Sequence, residues 1–212
     1  MTNTLDSFRL DGKVALITGG GKGIGAAMAR AFADAGADVV VTARTASDVE
    51  KVADEVRSRG RRAIAFPADV NDLGGLAKLV DRTVSELGGL DIVVNNAGGS
   101  VSHPFLQTTV EQLESSFHFN VSVTFELSRL AVPHLLARGG GVILNISSVA
   151  GHKAVRGSLT HSTMKAAVSQ LTRVMAAELA PRIRVNAVLP GAIETDALRN
   201  FLDRIGGDVR RP

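Results

Sequence analysis

Residues 14–32 read VALITGGGKGIGAAMARAF, a strand-like run that passes through glycines into an alanine-rich helical pattern. Glycine suits this junction because it accepts positive φ, leaves no Cβ between a diphosphate and the backbone, and lets the helix pack closely on the strand. The diphosphate would lie at the helix N-terminus, where free N–H groups and the positive end of the helix dipole face it. The stretch therefore predicts a phosphate-binding turn, with a turn that binds nothing as the alternative.

Strands and helices alternate along the rest of the chain. Short runs rich in β-branched residues lie at 14–18, 39–42, 63–66, 92–94, 142–146 and 183–188, and helical patterns separate them. This alternation predicts a Rossmann-type α/β fold, a doubly wound parallel sheet of six strands with helices on both faces. No internal repeat or linker divides the chain, so residues 1–212 are expected to form a single dinucleotide-binding and catalytic domain.

Two sequence patterns predict helix starts. Ser47 followed by Glu50, and Thr109 followed by Gln112, both have the spacing of a capping box. The second is expected to open one long helix that continues through Leu127.

Composition limits the possible classes of function. The net charge of +3 comes from 24 basic and 21 acidic side chains spread along the chain, which is typical of a solvated surface and not of a nucleic-acid-binding stripe. Cysteine is absent, and the histidines lack metal-ligand spacing. The N-terminus has no apolar signal segment, and no apolar run is long enough for a membrane span. We expect a cytoplasmic protein without a metal, a nucleic-acid partner or a membrane.

Four motifs in their order resemble the short-chain dehydrogenase/reductase family, in particular its carbonyl reductases and 3-oxoacyl-carrier-protein reductases. The motifs are Thr18-Gly19-x-x-x-Gly23-x-Gly25, NNAG at 95–98, NISS at 145–148 and PGAIET at 190–195. The resemblance implies a cofactor site, with Asp69 at the adenine and the NNAG segment supporting the pocket. Apart from two cationic residues discussed below, the residues of this site are Thr18, Gly19, Gly21, Gly23, Ile24, Gly25, Asp69, Val70, Asn96, Ala97, Gly98, Lys165, Pro190, Gly191, Ile193 and Thr195.

Charge predicts which nicotinamide dinucleotide binds. An acidic side chain about 20 residues past the glycines would bind the ribose 2′-hydroxyl of NAD and repel the 2′-phosphate of NADP. Arg44 stands there instead, and Lys22 in the glycine loop is a second cation that could reach the same phosphate. With no carboxylate expected at that point, NADP is predicted and NAD is less favoured. The alternative is that both cations belong to an ordinary solvated surface.

The resemblance also implies the catalytic positions. In the family's common arrangement a serine holds the substrate oxygen, a tyrosine moves the proton, a lysine lowers the tyrosine pKa and an asparagine supports a water chain. Ser148, Lys165 and Asn120 match, but the tyrosine position is His161 and the chain contains no tyrosine. An imidazole beside an ammonium group should be mostly neutral at pH 7, which makes it a good base for alcohol oxidation and a poor acid for carbonyl reduction.

Two functions are compatible with these residues. The first, which we prefer, is an NADP-dependent oxidoreductase that interconverts a secondary alcohol and a ketone by hydride transfer, with Asn120, Ser148, His161 and Lys165 as catalytic residues. The second is an NADP-binding protein without redox turnover that has a regulatory or assembly role. In that case His161 only fills the space of the absent phenol.

The resemblance further implies an assembly. In the family the helices that contain Asn120 and Lys165 commonly pack against a second subunit. Here Val168, Leu171 and Val174 supply apolar residues, so we expect a homodimer. Related proteins continue past PGAIET with more helices and a seventh strand, whereas this sequence stops at GGDVRRP. We therefore expect a truncated C-terminus, a sixth strand at the sheet edge, and a tetramer to be less favoured than a dimer.

Overall fold

A computed structural model describes residues 4–101, 103–196 and 198–199, and this part of the chain contains six strands. They are β1 (Val14–Thr18), β2 (Asp38–Ala43), β3 (Ala63–Pro67), β4 (Ile92–Asn95), β5 (Gly141–Ile146) and β6 (Ile183–Val188). All pairs are parallel, and the strands lie in the order β3-β2-β1-β4-β5-β6. The predicted strands are confirmed, with ends that differ by one residue at most.

Helices cover both faces of the sheet. They are α1 (Gly23–Asp34), α2 (Ala46–Arg57), α3 (Leu73–Leu87), α4 (Val110–Phe117), α5 (Val123–Ala137) and α6 (Leu159–Leu179). One core cluster joins α1 and α2 to the sheet, and a second joins α3, α5 and α6 to its opposite face. The doubly wound α/β prediction is therefore confirmed.

Strand β1 is buried on both faces. Ala15 and Ile17 belong to the cluster beneath α1 and α2, whereas Val14 and Leu16 belong to the cluster beneath α3 and α5. Strands buried on both faces consist of uninterrupted apolar residues, which is why VALIT could be recognised from sequence. Because β1 has β2 on one side and β4 on the other, the crevice where ligands bind in such sheets opens at the carboxyl ends of β1 and β4.

One of the two predicted capping boxes is present. The Thr109 hydroxyl accepts from the backbone N–H of Gln112, and the Gln112 side chain accepts from the N–H of Thr109. The capping box predicted at Ser47 is wrong, because α2 has already begun there and its N-cap residue, Thr45, makes no side-chain cap bond. A serine inside the first turn has the right spacing to Glu50 but the wrong position relative to the helix start.

The long helix predicted from Thr109 through Leu127 is interrupted. A π turn, His118–Ser122, separates α4 from α5. The extra residue in such a turn changes the direction of the side chains that follow, and π turns are frequent at functional sites.

Apolar residues of α6 are divided between the core and the surface. Val168 is buried against Val121 and Met164 of the same chain, so its assignment to a dimer surface is wrong. Leu171 packs partly against the core, and Val174 is 44% exposed. A helical stripe does not reveal from sequence which members face the chain's own core.

Strand β6 lies at the sheet edge within the described part of the chain, as expected. The GGDVRRP segment, 206–212, on which the expected truncation rests, lies outside the described residues. None of the helices described is both long and apolar enough to cross a membrane.

Candidate active site

Glycine positions in the loop after β1 leave no room for a side chain. Gly19 and Gly23 have φ of +61° and +53°, which disfavours any residue with a Cβ. A Cβ at Gly19 would lie 2.8 Å from the Asn96 amide nitrogen, and one at Gly25 would collide with the carbonyl oxygen of Gly19. Lys22 is the N-cap of α1 and makes no side-chain cap bond, so the first N–H groups of α1, near Ile24, are left for an anion.

Hydrogen bonds fasten the glycine loop to the NNAG segment. The hydroxyl of Thr18 accepts from the backbone N–H groups of Asn96 and Ala97, both at 3.0 Å. The Asn96 amide donates to the carbonyls of Thr18 at 2.9 Å and Gly19 at 3.1 Å. Because Thr18 is buried, it contributes to the site by holding the ends of β1 and β4 together.

The PGAIET segment lies beside the same loop. The carbonyl of Pro190 accepts a hydrogen bond from Val149 at 3.1 Å, and the Thr195 methyl would lie 3.2 Å from a Cβ at Gly23. Two other predicted cofactor residues of this segment are exposed: Gly191 and Ile193.

The predicted adenine-contacting residues follow β3. Asp69 is exposed, and its Oδ1 accepts from both the backbone and the side-chain amide of Asn71 at 3.0 Å. Val70 is buried. His118 at the start of the π turn donates from Nε2 to the Asn71 carbonyl at 2.9 Å, since a carbonyl can only accept. This bond joins the Asp69 loop to the turn that contains Asn120.

A carboxylate lies beside one of the two cations that were predicted to bind the 2′-phosphate of NADP. Lys22 Nζ lies 3.2 Å from Asp48 Oδ2, and a Cβ at Gly21 would lie 3.0 Å from the Asp48 Cβ. The expectation that no carboxylate lies here is therefore wrong. Arg44 is exposed and makes no ion pair with any residue that the structure describes. Asp48 could not be found from the sequence, because only the fold brings the first turn of α2 against the glycine loop.

Lys165 is a buried cation. Its side chain is only 6% exposed, and Nζ donates to the carbonyl of Ile146 at 2.8 Å, at the carboxyl end of β5. Burial lowers the pKa of Lys165 from 10.5 to about 8, because the charged form loses solvation.

Asn120 lies in the π turn beside this lysine. Its Oδ1 accepts from Gly99 N–H, and its Nδ2 donates to the carbonyls of Gly99 and Ser116, all at 2.9 Å. A Cβ on Gly98 would lie 2.9 Å from the Asn120 Oδ1 and 3.0 Å from the Lys165 Nζ. Gly98 therefore leaves room for both side chains, which a Cβ at this position would crowd.

Ser148 and His161 complete the predicted set. Ser148 is half-buried after β5, and its Oγ accepts from Ala150 N–H at 3.2 Å, which leaves its hydroxyl proton free to donate. His161 is half-buried in the first turns of α6, one turn before Lys165. Burial, and secondarily the Lys165 charge, lower the pKa of His161 from 6.5. The spacing along the helix predicted the effect of the neighbouring charge but not burial, which is the larger cause.

A buried polar network beneath the site was not predicted. The Asn95 amide donates to Ser128 at 3.0 Å and to Asn145 at 2.8 Å, and the Asn145 amide donates to Thr172 at 2.8 Å. It ties the NNAG and NISS segments to α5 and α6. The only sequence signal was asparagine at the ends of two otherwise apolar strands.

These features define a class of protein before any comparison is made. The glycine loop, the uncapped start of α1 and the crevice at the strand ends are those of a dinucleotide-binding α/β protein, and the residues present fit such a cofactor. The chain belongs to the short chain dehydrogenase family, a family of oxidoreductases whose model matches residues 13–205.

Individual relatives agree with this membership. An uncharacterized oxidoreductase of Mycobacterium tuberculosis is 49% identical over 195 residues, which span 92% of this chain and 74% of that protein. A 7α-hydroxysteroid dehydrogenase, solved with NADH and 7-oxo glycochenodeoxycholic acid, has a TM-score of 0.90 at 43% identity and covers 94% of this chain and 78% of its own. A Burkholderia cenocepacia short chain dehydrogenase, solved with NADP, has a TM-score of 0.84 at 38% identity, covering 89% and 78%.

Proposed function

We propose that this chain is an NADP-dependent oxidoreductase that interconverts a secondary alcohol and a ketone, with His161 as the residue that moves the proton. The observation that carries the proposal is the buried Lys165 one helical turn after His161, with Asn120 and Ser148 at the same edge of the sheet. Burying an ammonium group lowers stability, so its presence at the carboxyl end of β5 supports a functional role.

Ser148 and His161 have distinct parts in alcohol oxidation. A nicotinamide dinucleotide bound at this site would supply the acceptor for the hydride that leaves the carbinol carbon. Ser148 donates a hydrogen bond from its free hydroxyl to the substrate oxygen and orients it, while the Nζ of Lys165 is held by the Ile146 carbonyl. His161 takes the hydroxyl proton as the C–O double bond forms. In reduction the proton returns from His161 to the carbonyl oxygen.

Protonation of His161 sets the direction that the site favours. Because burial and Lys165 lower its pKa below 6.5, the imidazole is neutral at pH 7 and acts there as a base. Alcohol oxidation should rise with pH through that lowered pKa and then level off. Ketone reduction should rise as the pH falls, because it needs the protonated form.

The preference for NADP rests on Arg44. Its guanidinium is exposed at the end of β2 and can bind a 2′-phosphate bidentately. Lys22 adds to this attraction only as far as its pairing with Asp48 allows. Relatives have been solved with either cofactor, so the comparison between NADPH and NADH must be made on this chain.

Replacement of His161 tests the catalytic proposal. His161→Phe should lower the turnover of secondary alcohols about 10²- to 10⁴-fold, the usual contribution of a positioned acid or base. His161→Tyr should increase ketone reduction at pH 7, because a phenol beside an ammonium group remains protonated there. NADPH absorbance with a panel of alcohols and ketones measures both, and His134→Phe on α5 is the matched control.

Two results would contradict the proposal. Equal turnover by the parent and the Phe variant would mean that His161 does not carry the proton. No turnover by the parent, with strong turnover by the Tyr variant, would favour the NADP-binding protein without redox activity, because the cofactor site would be intact and only the proton carrier lost.

We also propose that the chain forms a homodimer through α5 and α6, with a tetramer less favoured. Phe125 on α5 and Val174 on α6 are 49% and 44% exposed, Phe117 at the end of α4 is 47% exposed, and apolar side chains that meet their own copies close a dimer by two-fold symmetry. Light scattering should give the dimer mass, and Phe125→Glu should shift it towards the monomer. A monomeric parent at micromolar concentration would refute the dimer.

A further inference from the structure

We infer that Asp48 sets how strongly the site prefers NADP over NAD, by holding Lys22 away from the 2′-phosphate. This inference rests on the proposed cofactor site, but it concerns a residue outside the motifs that define that site. Asp48 would be a specificity-determining residue in the first turn of α2.

Asp48 is packed in place, whereas the Lys22 side chain is exposed and can move. Asp48 is 24% exposed, and its Cβ lies 3.0 Å from where a Cβ on Gly21 would be, so this side chain packs against the glycine loop. Lys22, which is 65% exposed, reaches it with Nζ 3.2 Å from Oδ2. A long, exposed lysine can turn towards a ligand, whereas the short and packed aspartate cannot follow it.

Charge determines what this pair does to each cofactor. Arg44 and Lys22 are two cations and Asp48 is one anion, so the three groups carry one net positive charge. The 2′-phosphate that they would attract carries about −1.5 to −2 charges. Asp48 both occupies Lys22 and repels the phosphate. The ribose hydroxyls of NAD carry no charge to be repelled, and a carboxylate can accept a hydrogen bond from them.

The pair should therefore moderate the preference for NADP. Asp48→Asn keeps the shape of the side chain and removes its charge. We expect it to tighten NADPH binding about tenfold, equivalent to about 1.4 kcal/mol, while NADH binding stays the same or weakens. In a Lys22→Met background the same substitution should have a smaller effect, because the lysine that it releases is absent.

Titration calorimetry with NADPH and NADH tests this without depending on turnover. The proteins compared are the parent, Asp48→Asn, Lys22→Met, the double variant, and Asp54→Asn as control. Asp54 is an exposed acid of the same helix that pairs with Arg57, so its variant matches the loss of charge without touching Lys22. Asp54→Asn should leave the ratio of the two affinities unchanged.

The outcomes separate this inference from the proposed function. If Asp48→Asn changes both affinities equally, or neither, or if Asp54→Asn changes the ratio as much, the role of Asp48 is wrong while NADP use can stand. If the parent prefers NADH and Asp48→Asn shifts the ratio towards NADPH, the role of Asp48 is upheld and the proposed NADP preference fails.

Discussion

Replacing Lys165 by methionine should make the protein more stable and inactive. Methionine has a similar length, fills the same buried space and carries no charge. In the parent the ammonium group is buried, with the Ile146 carbonyl as its hydrogen-bond partner. Under the proposed function, the stability cost of this buried charge accompanies its catalytic role, a common feature of active sites.

The magnitude follows from the lowered pKa. A change from 10.5 to about 8 corresponds to about 3 kcal/mol of lost stability, since each tenfold change in the protonation equilibrium is about 1.4 kcal/mol. Methionine removes this cost but leaves the Ile146 carbonyl without its donor, at about 1 kcal/mol. The net gain of about 2 kcal/mol corresponds to a rise in Tm of about 4–8 °C for a chain of this size.

The dependence on pH identifies the cause. Below pH 8 the lysine is charged in both the folded and the unfolded state, so the full penalty is present. Above pH 10.5 it is neutral in both states, and the penalty disappears. The stability of the parent should therefore approach that of Lys165→Met as the pH rises through this window.

Urea unfolding at pH 7 and pH 10 measures the difference without cofactor, and NADPH absorbance measures activity. Lys78→Met on the exposed side of α3 is the control and should change stability by less than about 0.5 kcal/mol. A Lys165→Met variant that is less stable than the parent at pH 7, or a difference that is the same at pH 10, would refute the reasoning.

Two further predictions concern packing and capping. Gly98→Ala places a methyl group 2.9 Å from the Asn120 Oδ1 and 3.0 Å from the Lys165 Nζ. We expect kcat to fall about 10- to 100-fold with little change in Tm. An unchanged kcat would mean that the positions of these two side chains do not matter for turnover. Thr109→Ala removes the α4 cap and should cost about 1 kcal/mol in urea unfolding, whereas Thr109→Ser should not; equal losses for both variants would exclude the cap as the cause.

The sequence determined the strands because parallel strands buried on both faces leave a local trace. Residues such as Leu16 and Val40 must be apolar whichever face they meet, so the runs and their ends could be predicted. The glycine loop was equally local, because positive φ and close backbone contacts restrict single positions such as Gly19. The cofactor-binding edge of the sheet and the expectation of a dinucleotide cofactor followed from these features.

Side chains that meet across the fold could not be predicted in the same way. The Asp48–Lys22 ion pair joins residues 26 positions apart, and the Asn95–Asn145 hydrogen bond joins residues 50 positions apart. The burial that lowers the pKa of His161 and Lys165 also depends on what packs around them. Spacing along the chain predicts which residues share a helix face, but only the tertiary structure decides which face is buried, and therefore which charges are exposed to water and which are held against one another.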